Sequence, residues 1–231
     1  MLELMDGDLA QFLSKSKQTI TDVHIKCIMK QLLEGIRAMN SIGVYHRDLK
    51  PANILISKNC EVRICGFGLA RCGGDFRFDE RPPVVTAYMN SNFYLSPELL
   101  VSPKHNYDER MDIWSAGCIM GELALKRPLF PGRSQSEQVC LIMKLLGYSD
   151  SSDLGVPTSC SNIEFLDKYC LGPPEELSTV FPGYLSGLFS QMISELLTVN
   201  PFKRPSAEDV LRCPYLSDAA VFYDYSIDYL E

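Results

Sequence analysis

The sequence lacks the features that mark membrane, secreted and nucleic-acid-binding proteins. It has no uninterrupted apolar run of about 18 residues, the length that a bilayer crossing needs. Its first residues, MLELMDGDLAQFL, have no basic region before an apolar run, so no signal peptide is predicted. Lys and Arg number 22 against 29 Asp and Glu, a net charge of −7. This balance argues against nucleic acid or an anionic membrane as the main partner and is compatible with a basic peptide.

Metal-binding and disulfide patterns are also missing. There are only three histidines, and the nine cysteines are scattered without CxxC spacing. The odd cysteine count predicts free thiols in a reducing compartment, and no zinc site is indicated. We therefore expect a cytoplasmic or nuclear protein. Hydrophobic content of 46% in 231 residues is enough for one sizeable core.

The hydrophobic periodicity predicts a mainly α-helical fold with a few short strands. Helices are expected over 8–13, 22–42, 111–124, 135–146, 185–197 and 207–212, and the segment 111–124 is apolar enough to be a buried central helix. A strand is expected over 61–64, and short strands should flank the loop within 44–56. No regular pattern is visible over 66–94 or 149–174.

The most specific motif is H-R-D-L-K-P-A-N at residues 46–53. It resembles the catalytic loop of protein kinases. The resemblance implies that Asp48 accepts the proton of a substrate hydroxyl, that Lys50 neutralises charge on the transferred phosphate and that Asn53 is a ligand of Mg²⁺. ATP and Mg²⁺ are the cofactors implied for an active member of the family.

Residues 64–71, I-C-G-F-G-L-A-R, depart from that family at one decisive position. The kinase pattern is D-F-G-L-A-R, in which the aspartate chelates Mg²⁺, and this sequence has Gly66 in its place. The next carboxylates, Glu61 and Asp75, are not expected to replace it. The resemblance therefore predicts impaired phosphoryl transfer.

The resemblance covers the kinase large lobe, which is a helical bundle with a few short strands, over residues 1–216, followed by an acidic tail at 217–231. Only 45 residues precede His46, so we expect the small lobe, with its glycine-rich loop and strand lysine, to be missing. Three positions match the floor of the ATP site: Met5 at the hinge, Asp8 near the ribose and Leu55 beneath the adenine.

Three further positions match structural residues of kinases. Glu98, in S-P-E at 96–98, is the expected partner of Arg204 in a buried ion pair. Asp112, at the start of the central helix, is expected to accept hydrogen bonds from the backbone of the catalytic loop. Because inactive kinases need these residues too, they indicate the fold and not the activity.

Subfamily features are similar to those of MAP kinases. Thr86 and Tyr88 occupy the T-x-Y dual phosphorylation site, and Arg47 and Arg71 match two arginines that bind the phosphothreonine. A chance turn is the alternative for T-x-Y. The arginines of the phosphotyrosine pocket are replaced by Asn92 and Leu95, and the loss at Leu95 also puts proline-directed specificity in doubt. In the tail, Asp224 matches one position of an acidic patch that binds basic docking motifs of activators, substrates or scaffolds, and Asp228 falls within one residue of another. A plain solvated tail is the alternative.

Three hypotheses remain open from the sequence. The first is a pseudokinase-type docking and signalling module that keeps the fold without efficient catalysis. The second is an active serine/threonine MAP kinase whose small lobe is encoded elsewhere. The third is an unstable remnant with an exposed surface where the small lobe would pack.

Overall fold

Two long helices, α2 (Asp22–Ser41) and α4 (Arg110–Leu125), form the centre of the molecule. The computed structural model describes residues 5–15, 20–72, 93–102, 108–184, 187–217 and 219. Helix α2 buries one apolar face, while α4 is buried at every position from Met111 to Leu123. A helix that is apolar on all sides has to be surrounded by other elements, and α2 and α8 both pack against α4.

The described residues form seven further helices. They are α1 (Leu9–Lys15), α3 (Pro97–Val101), α5 (Gln135–Leu146), α6 (Cys160–Tyr169), α7 (Leu177–Val180), α8 (Gly187–Leu196) and α9 (Ala207–Leu211). Within the described ranges, no helix combines the length and the apolar character that a membrane crossing requires.

Five short strands in the described part of the chain form two small antiparallel sheets. In the first, β3 (Ile54–Ile56) lies between β1 (Gly7–Asp8) and β4 (Val62–Ile64). In the second, β2 (Val44–Tyr45) pairs with β5 (Arg71–Cys72). Since β2 ends at Tyr45 and β3 begins at Ile54, the sheets hold both ends of the loop at 46–53.

Most of the predicted elements are confirmed. The helices expected over 22–42, 111–124 and 135–146 are α2, α4 and α5, and the mainly helical class with a few short strands is correct. The first helix begins at Leu9 and the eighth spans Gly187–Leu196, each close to its expected bounds.

Two segments in which the sequence shows no regular pattern contain regular elements. In the segment 149–174 a ten-residue helix, α6, is present. It begins at the N-cap Ser159, whose hydroxyl accepts a hydrogen bond from the backbone N–H of Asn162 at 3.3 Å. In the segment 66–94, Phe67–Leu69 form a 3₁₀ turn and β5 follows it. The partner of β5 is β2, which lies far away along the chain, so the local sequence does not predict this strand. Residues 73–92 lie outside the described part of the chain.

Candidate active site

Asp112 anchors the loop at residues 46–53 from below. It lies in the first turn of α4 and is fully buried, and its carboxylate accepts hydrogen bonds from the backbone N–H of His46 (2.8 Å) and of Arg47 (3.0 Å). Burial raises the pKa of Asp112, while the two N–H donors act in the opposite direction. Arg47 has a φ of +69°, which is unfavourable for a residue with a Cβ, so these hydrogen bonds hold the loop in a turn that it would not adopt alone.

Asp48 lies at the apex of this loop and is engaged by two neighbours. Lys50 Nζ lies 3.0 Å from Asp48 Oδ1 and 2.8 Å from Oδ2. Asn53 Nδ2 donates to the Asp48 carbonyl oxygen (2.7 Å) and to Asp48 Oδ2 (3.0 Å). Because Oδ2 accepts from both side chains, Oδ1 is the oxygen with more capacity left for a further donor.

The Asn53 side chain also fills the space beside Gly66. Gly66 adopts φ +82° and ψ +35°, the left-handed region that glycine occupies most easily. A Cβ placed on Gly66 would lie 2.4 Å from Asn53 Oδ1 and 2.5 Å from Asn53 Cγ, well inside contact distance. Any side chain at position 66 would therefore require the Asn53 side chain or the backbone at residue 66 to shift.

Phe67 lies directly after this glycine and contacts the catalytic loop. Its ring centroid is 4.9 Å from that of His46 at an angle of 59°, and His46 Nε2 is 2.8 Å from the Cys65 carbonyl oxygen. His46 is fully buried, but Phe67 is 48% exposed and Leu69 is 44% exposed. The chain thus presents an apolar surface, Phe67 and Leu69, beside the site.

A buried ion pair fixes the segment that leads into α3. Arg204 binds Glu98 through two parallel hydrogen bonds, Nη1 to Oε1 at 2.8 Å and Nη2 to Oε2 at 2.9 Å. The Arg204 side chain is 0% exposed and also lies over the Trp114 ring, 5.2 Å from its centroid. This arrangement joins α3, α4 and the turn before α9 in one cluster.

Comparison with known proteins identifies this constellation. A sequence model of the family described as "Protein kinase domain" matches residues 1–216. The chain belongs to the protein kinase family. It is 40% identical over 214 residues to the mitogen-activated protein kinase homolog NTF6 of Nicotiana tabacum, which covers 93% of this chain and 55% of that protein. It is 36% identical over 215 residues to the mitogen-activated protein kinase homolog MMK2 of Medicago sativa, which covers 93% of this chain and 56% of that protein.

The likeness to MAP kinases extends beyond plants. The mitogen-activated protein kinase spm1 of Schizosaccharomyces pombe is 36% identical over 238 residues, which cover 99% of this chain and 56% of that protein. The chain is thus MAP-kinase-like, and it spans about half the length of the curated relatives it matches.

The residues present do not fit the magnesium site of an active kinase. Gly66 offers no carboxylate, and the described residues contain no group of three His, Cys, Asp or Glu side chains placed to hold a metal ion. The amide nitrogen of Asn53 faces Asp48. An amide nitrogen cannot coordinate Mg²⁺, which requires oxygen ligands, so in this arrangement only Asn53 Oδ1 is available from the predicted ligand.

The three positions predicted for the nucleotide floor are near one another in the first sheet. Asp8 pairs with Leu55 in the register of β1 and β3, and Met5 lies just before β1 and is half-buried. The Asp8 carboxylate accepts hydrogen bonds from Gln11, at 2.8 Å from the backbone N–H and 2.6 Å from Nε2. Asp8 therefore also stabilises the start of α1, where a negative charge is favourable.

Most residues of the predicted phosphorylation and docking sites lie outside the described part of the chain. Thr86, Tyr88, Asp224 and Asp228 lie outside the described residues, as does Asn92. Two arginines are matched to phosphothreonine binding, and both are described. Arg71 is exposed and pairs with Tyr45 across the sheet, and the partly buried Arg47 lies two residues after Tyr45 in the chain. The β2–β5 pairing therefore brings both arginines to the same end of the catalytic loop.

The structure adds three polar residues that the sequence analysis missed. Tyr94 Oη donates to Glu122 Oε2 at 2.6 Å, and Ser115 Oγ donates to the Tyr94 carbonyl oxygen at 2.9 Å. Burial raises the pKa of both Glu122 and Tyr94. Tyr94 and Ser115 line one part of a small cavity of about 20 Å³, and Asp48 and Leu95 line another. An acidic residue inside an otherwise apolar buried helix is the sequence feature that would have pointed to Glu122.

Proposed function

We propose that this chain is a serine/threonine kinase domain of the MAP-kinase type that lacks efficient phosphoryl transfer and acts as a docking and signalling module. The observation that carries the proposal is Gly66, together with the position of Asn53. The residue that would chelate the metal is a glycine, and its neighbour fills the space where such a side chain would lie.

The loss is large in energetic terms. A metal ion at a phosphoryl-transfer site contributes several kcal/mol of charge stabilisation in the transition state. Each loss of about 1.4 kcal/mol lowers the rate roughly tenfold, so several orders of magnitude in rate are at stake. Among the described residues, no group of three or more His, Cys, Asp or Glu side chains is placed to hold a metal ion instead.

A second candidate function is an active MAP kinase that uses a small lobe not included in this chain. The observation in its favour is that Asp48, Lys50 and Asn53 are assembled within hydrogen-bonding distance of one another on a loop anchored by Asp112. Phe67 and Leu69 are half-exposed, which leaves an apolar surface beside the loop that a covering lobe would have to bury.

In that case the residues of the chain would have simple roles. Asp48 Oδ1 would accept the proton of a substrate hydroxyl, as the oxygen with free acceptor capacity. Lys50, now paired with Asp48, would shift toward the transferred phosphate and compensate its charge. ATP would lie over Met5 and Leu55, with Asp8 near the ribose, and Mg²⁺ would neutralise the phosphates when bound.

A thermal-shift titration with ATP, with and without Mg²⁺, tests the proposal on the purified chain. A ligand that binds only the folded state raises Tm, and a concentration of about 100 times Kd adds roughly 2.7 kcal/mol of stability. For a chain of this size such a gain corresponds to about 5–11 °C. We expect a cooperative melt with no magnesium-dependent shift.

Two aspartate variants sharpen the test. Gly66→Asp restores a carboxylate beside Asn53, whereas Gly68→Asp adds the same charge two residues away, where a Cβ would have no atom within 4 Å. A magnesium-dependent shift in Gly66→Asp but not in Gly68→Asp or the natural chain supports the proposal. A magnesium-dependent shift in the natural chain, with phosphorylation of a generic substrate that Asp48→Asn abolishes, would overturn it in favour of the active kinase.

The partners that we propose are proteins with basic docking motifs, such as upstream kinases, substrates or scaffolds. Support comes from the net charge of −7, from the match of Asp224 to one position of the acidic docking patch and from Asp228, which falls within one residue of another. Titration with a fluorescent basic peptide should give saturable binding that Asp224→Asn/Asp228→Asn weakens. Equal binding by the variant would contradict this docking role.

A further inference from the structure

Two cysteine sulfur atoms, one on α5 and one at the end of α6, lie unusually close together. Cys140 is in the middle of α5, and Cys170 is the C-cap residue of α6. Their Sγ atoms are 3.0 Å apart. A disulfide bond is about 2.05 Å long, so an approach of only about 1 Å separates the two thiols from bonding distance.

The backbone around the two thiols is held by several hydrogen bonds. Tyr148 and Gly172 exchange two backbone hydrogen bonds of 3.0 Å each, just beyond the ends of α5 and α6. Tyr148 Oη also donates to Asp167 on α6 at 3.0 Å, and the Glu175 N–H donates to the Leu145 carbonyl oxygen at 3.0 Å. These contacts follow Cys140 along the chain and flank Cys170, so they hold the end of α5 against the end of α6 where the two sulfur atoms meet.

The environment leaves one thiol accessible and the other protected. Cys140 is partly exposed, whereas Cys170 is only 7% exposed. Burial, together with the neighbouring Cys140, raises the pKa of Cys170 to about 12. A partly exposed thiol beside a buried one is a suitable arrangement for oxidation of the first and capture by the second.

We propose that Cys140 and Cys170 are a site of reversible oxidation, at which a peroxide converts the two thiols to a disulfide that joins α5 to α6. The Cys140 thiolate attacks one peroxide oxygen, the O–O bond breaks, and Cys140 becomes a sulfenic acid as hydroxide leaves. Cys170 then attacks the Cys140 sulfur, the S–O bond breaks and a second hydroxide leaves. The two hydroxides take up the two thiol protons, so one peroxide is reduced to two waters, and a dithiol reductant reverses the change.

The crosslink would act on the wall of an open groove. It would close a loop of 30 residues next to the Tyr148–Gly172 bridge. Residues from both sides of that bridge line a cavity of about 720 Å³, together with Leu197 and Lys203. Oxidation would therefore hold one wall of this groove in place and stabilise the folded chain.

Peptide mapping of the full chain tests the proposal directly. The protein is treated with a stoichiometric amount of hydrogen peroxide, alkylated, and digested with trypsin without reduction. We expect a linked pair of peptides, 134–144 and 169–203, which contain Cys140 and Cys170 respectively, while Cys160 lies in the separate peptide 145–168. The loop length also predicts that oxidation raises Tm by roughly 7–14 °C, reversibly on reduction.

Matched variants separate this crosslink from other oxidation. Cys140→Ser should abolish both the linked peptide and the rise in Tm, while Cys72→Ser, which removes an exposed thiol at a distant strand, should retain both. If peroxide oxidises Cys72 but yields no 134–144/169–203 link in the natural chain, the proposal is refuted, and this result does not depend on any variant folding. A rise in Tm that persists in Cys140→Ser would also overturn it.

Discussion

Loss of the buried ion pair between Glu98 and Arg204 should have a measurable effect on the free energy of unfolding. In Glu98→Gln the shape of the side chain and one acceptor oxygen are kept, but the negative charge is lost. The Arg204 guanidinium, 0% exposed, would then have no counter-charge among its direct contacts. Breaking a buried ion pair from one side typically costs about 3–5 kcal/mol, because it leaves the other charge uncompensated.

The other contacts of Arg204 place this cost at the lower end of that range. Its guanidinium also donates to the backbone carbonyl oxygens of Thr198 (2.8 Å), Arg110 (2.8 Å) and Val199 (3.2 Å), and these acceptors remain in the variant. We therefore expect Glu98→Gln to lower the free energy of unfolding by about 3 kcal/mol. For a chain of this size, the loss corresponds to a fall in Tm of roughly 6–12 °C.

Urea denaturation followed by circular dichroism measures the loss, with Glu208→Gln as the matched control. Glu208 makes two ion pairs of similar length, with Arg37 at 3.1 Å and Arg212 at 2.9 Å, but all three side chains are about half exposed or more. Exposed pairs of this kind contribute little, so the control should change the midpoint far less. A loss below about 1 kcal/mol in Glu98→Gln, or a control that costs as much, would refute the argument that burial makes this pair important.

Three further changes should affect stability in defined ways, each measured by urea denaturation. Burial lowers the pKa of His24, so below about pH 6.5 the unfolded chain binds the proton more readily than the folded chain. The natural chain should therefore lose stability as the pH falls through this range, and His24→Gln should remove this dependence of stability on pH. Burial raises the pKa of Glu122, so above pH 4.5, the ordinary glutamate value, the unfolded chain releases the proton more readily than the folded chain. Stability should therefore decline as the pH rises above this value, and Glu122→Gln should show no such decline. Gly117→Ala would place a Cβ 2.8 Å from Leu197 Cδ2 at the contact of α4 with α8, and overpacking there should cost about 1–3 kcal/mol. Unchanged pH profiles in the two titration variants, or a stability gain in Gly117→Ala, would contradict these expectations.

The sequence predicted the helices that are held by their own periodic apolar residues and missed those held by distant contacts. Helix α2 has a clear apolar face, and α4 is apolar all round, so local pattern was sufficient. Helix α6, in contrast, buries Leu166 and is tied to the rest of the fold by Asn162 Nδ2, which donates to the Val101 carbonyl oxygen at 2.8 Å. A hydrogen bond between residues 61 positions apart leaves no mark in the local sequence.

The candidate site shows the same division. The spacing within residues 46–53 was enough to place Asp48, Lys50 and Asn53 on one loop, and the glycine at position 66 was visible as a departure from the kinase pattern. The sequence could not show that Asn53 fills the space beside Gly66, because that depends on the positive φ of Gly66 and on the close approach of the chain after β4 to the 3₁₀ turn at Pro51–Asn53.

The residues that support the site and the residues that would perform the chemistry give different kinds of information about function. Asp112, Glu98 and Arg204 are buried and satisfy one another or the backbone, so removing any of them should destabilise the fold whether or not the chain transfers phosphate. Their presence therefore cannot distinguish a docking module from an enzyme. Gly66 and Asn53 can, because a change at position 66 alters the possible ligands of a metal and, where it displaces Asn53, the hydrogen bonding of Asp48. Because Gly66 has a positive φ, Gly66→Asp should also lower the urea midpoint. The shift that ATP and Mg²⁺ cause relative to each variant's own ligand-free midpoint therefore separates the chemistry of this site from the stability of its support.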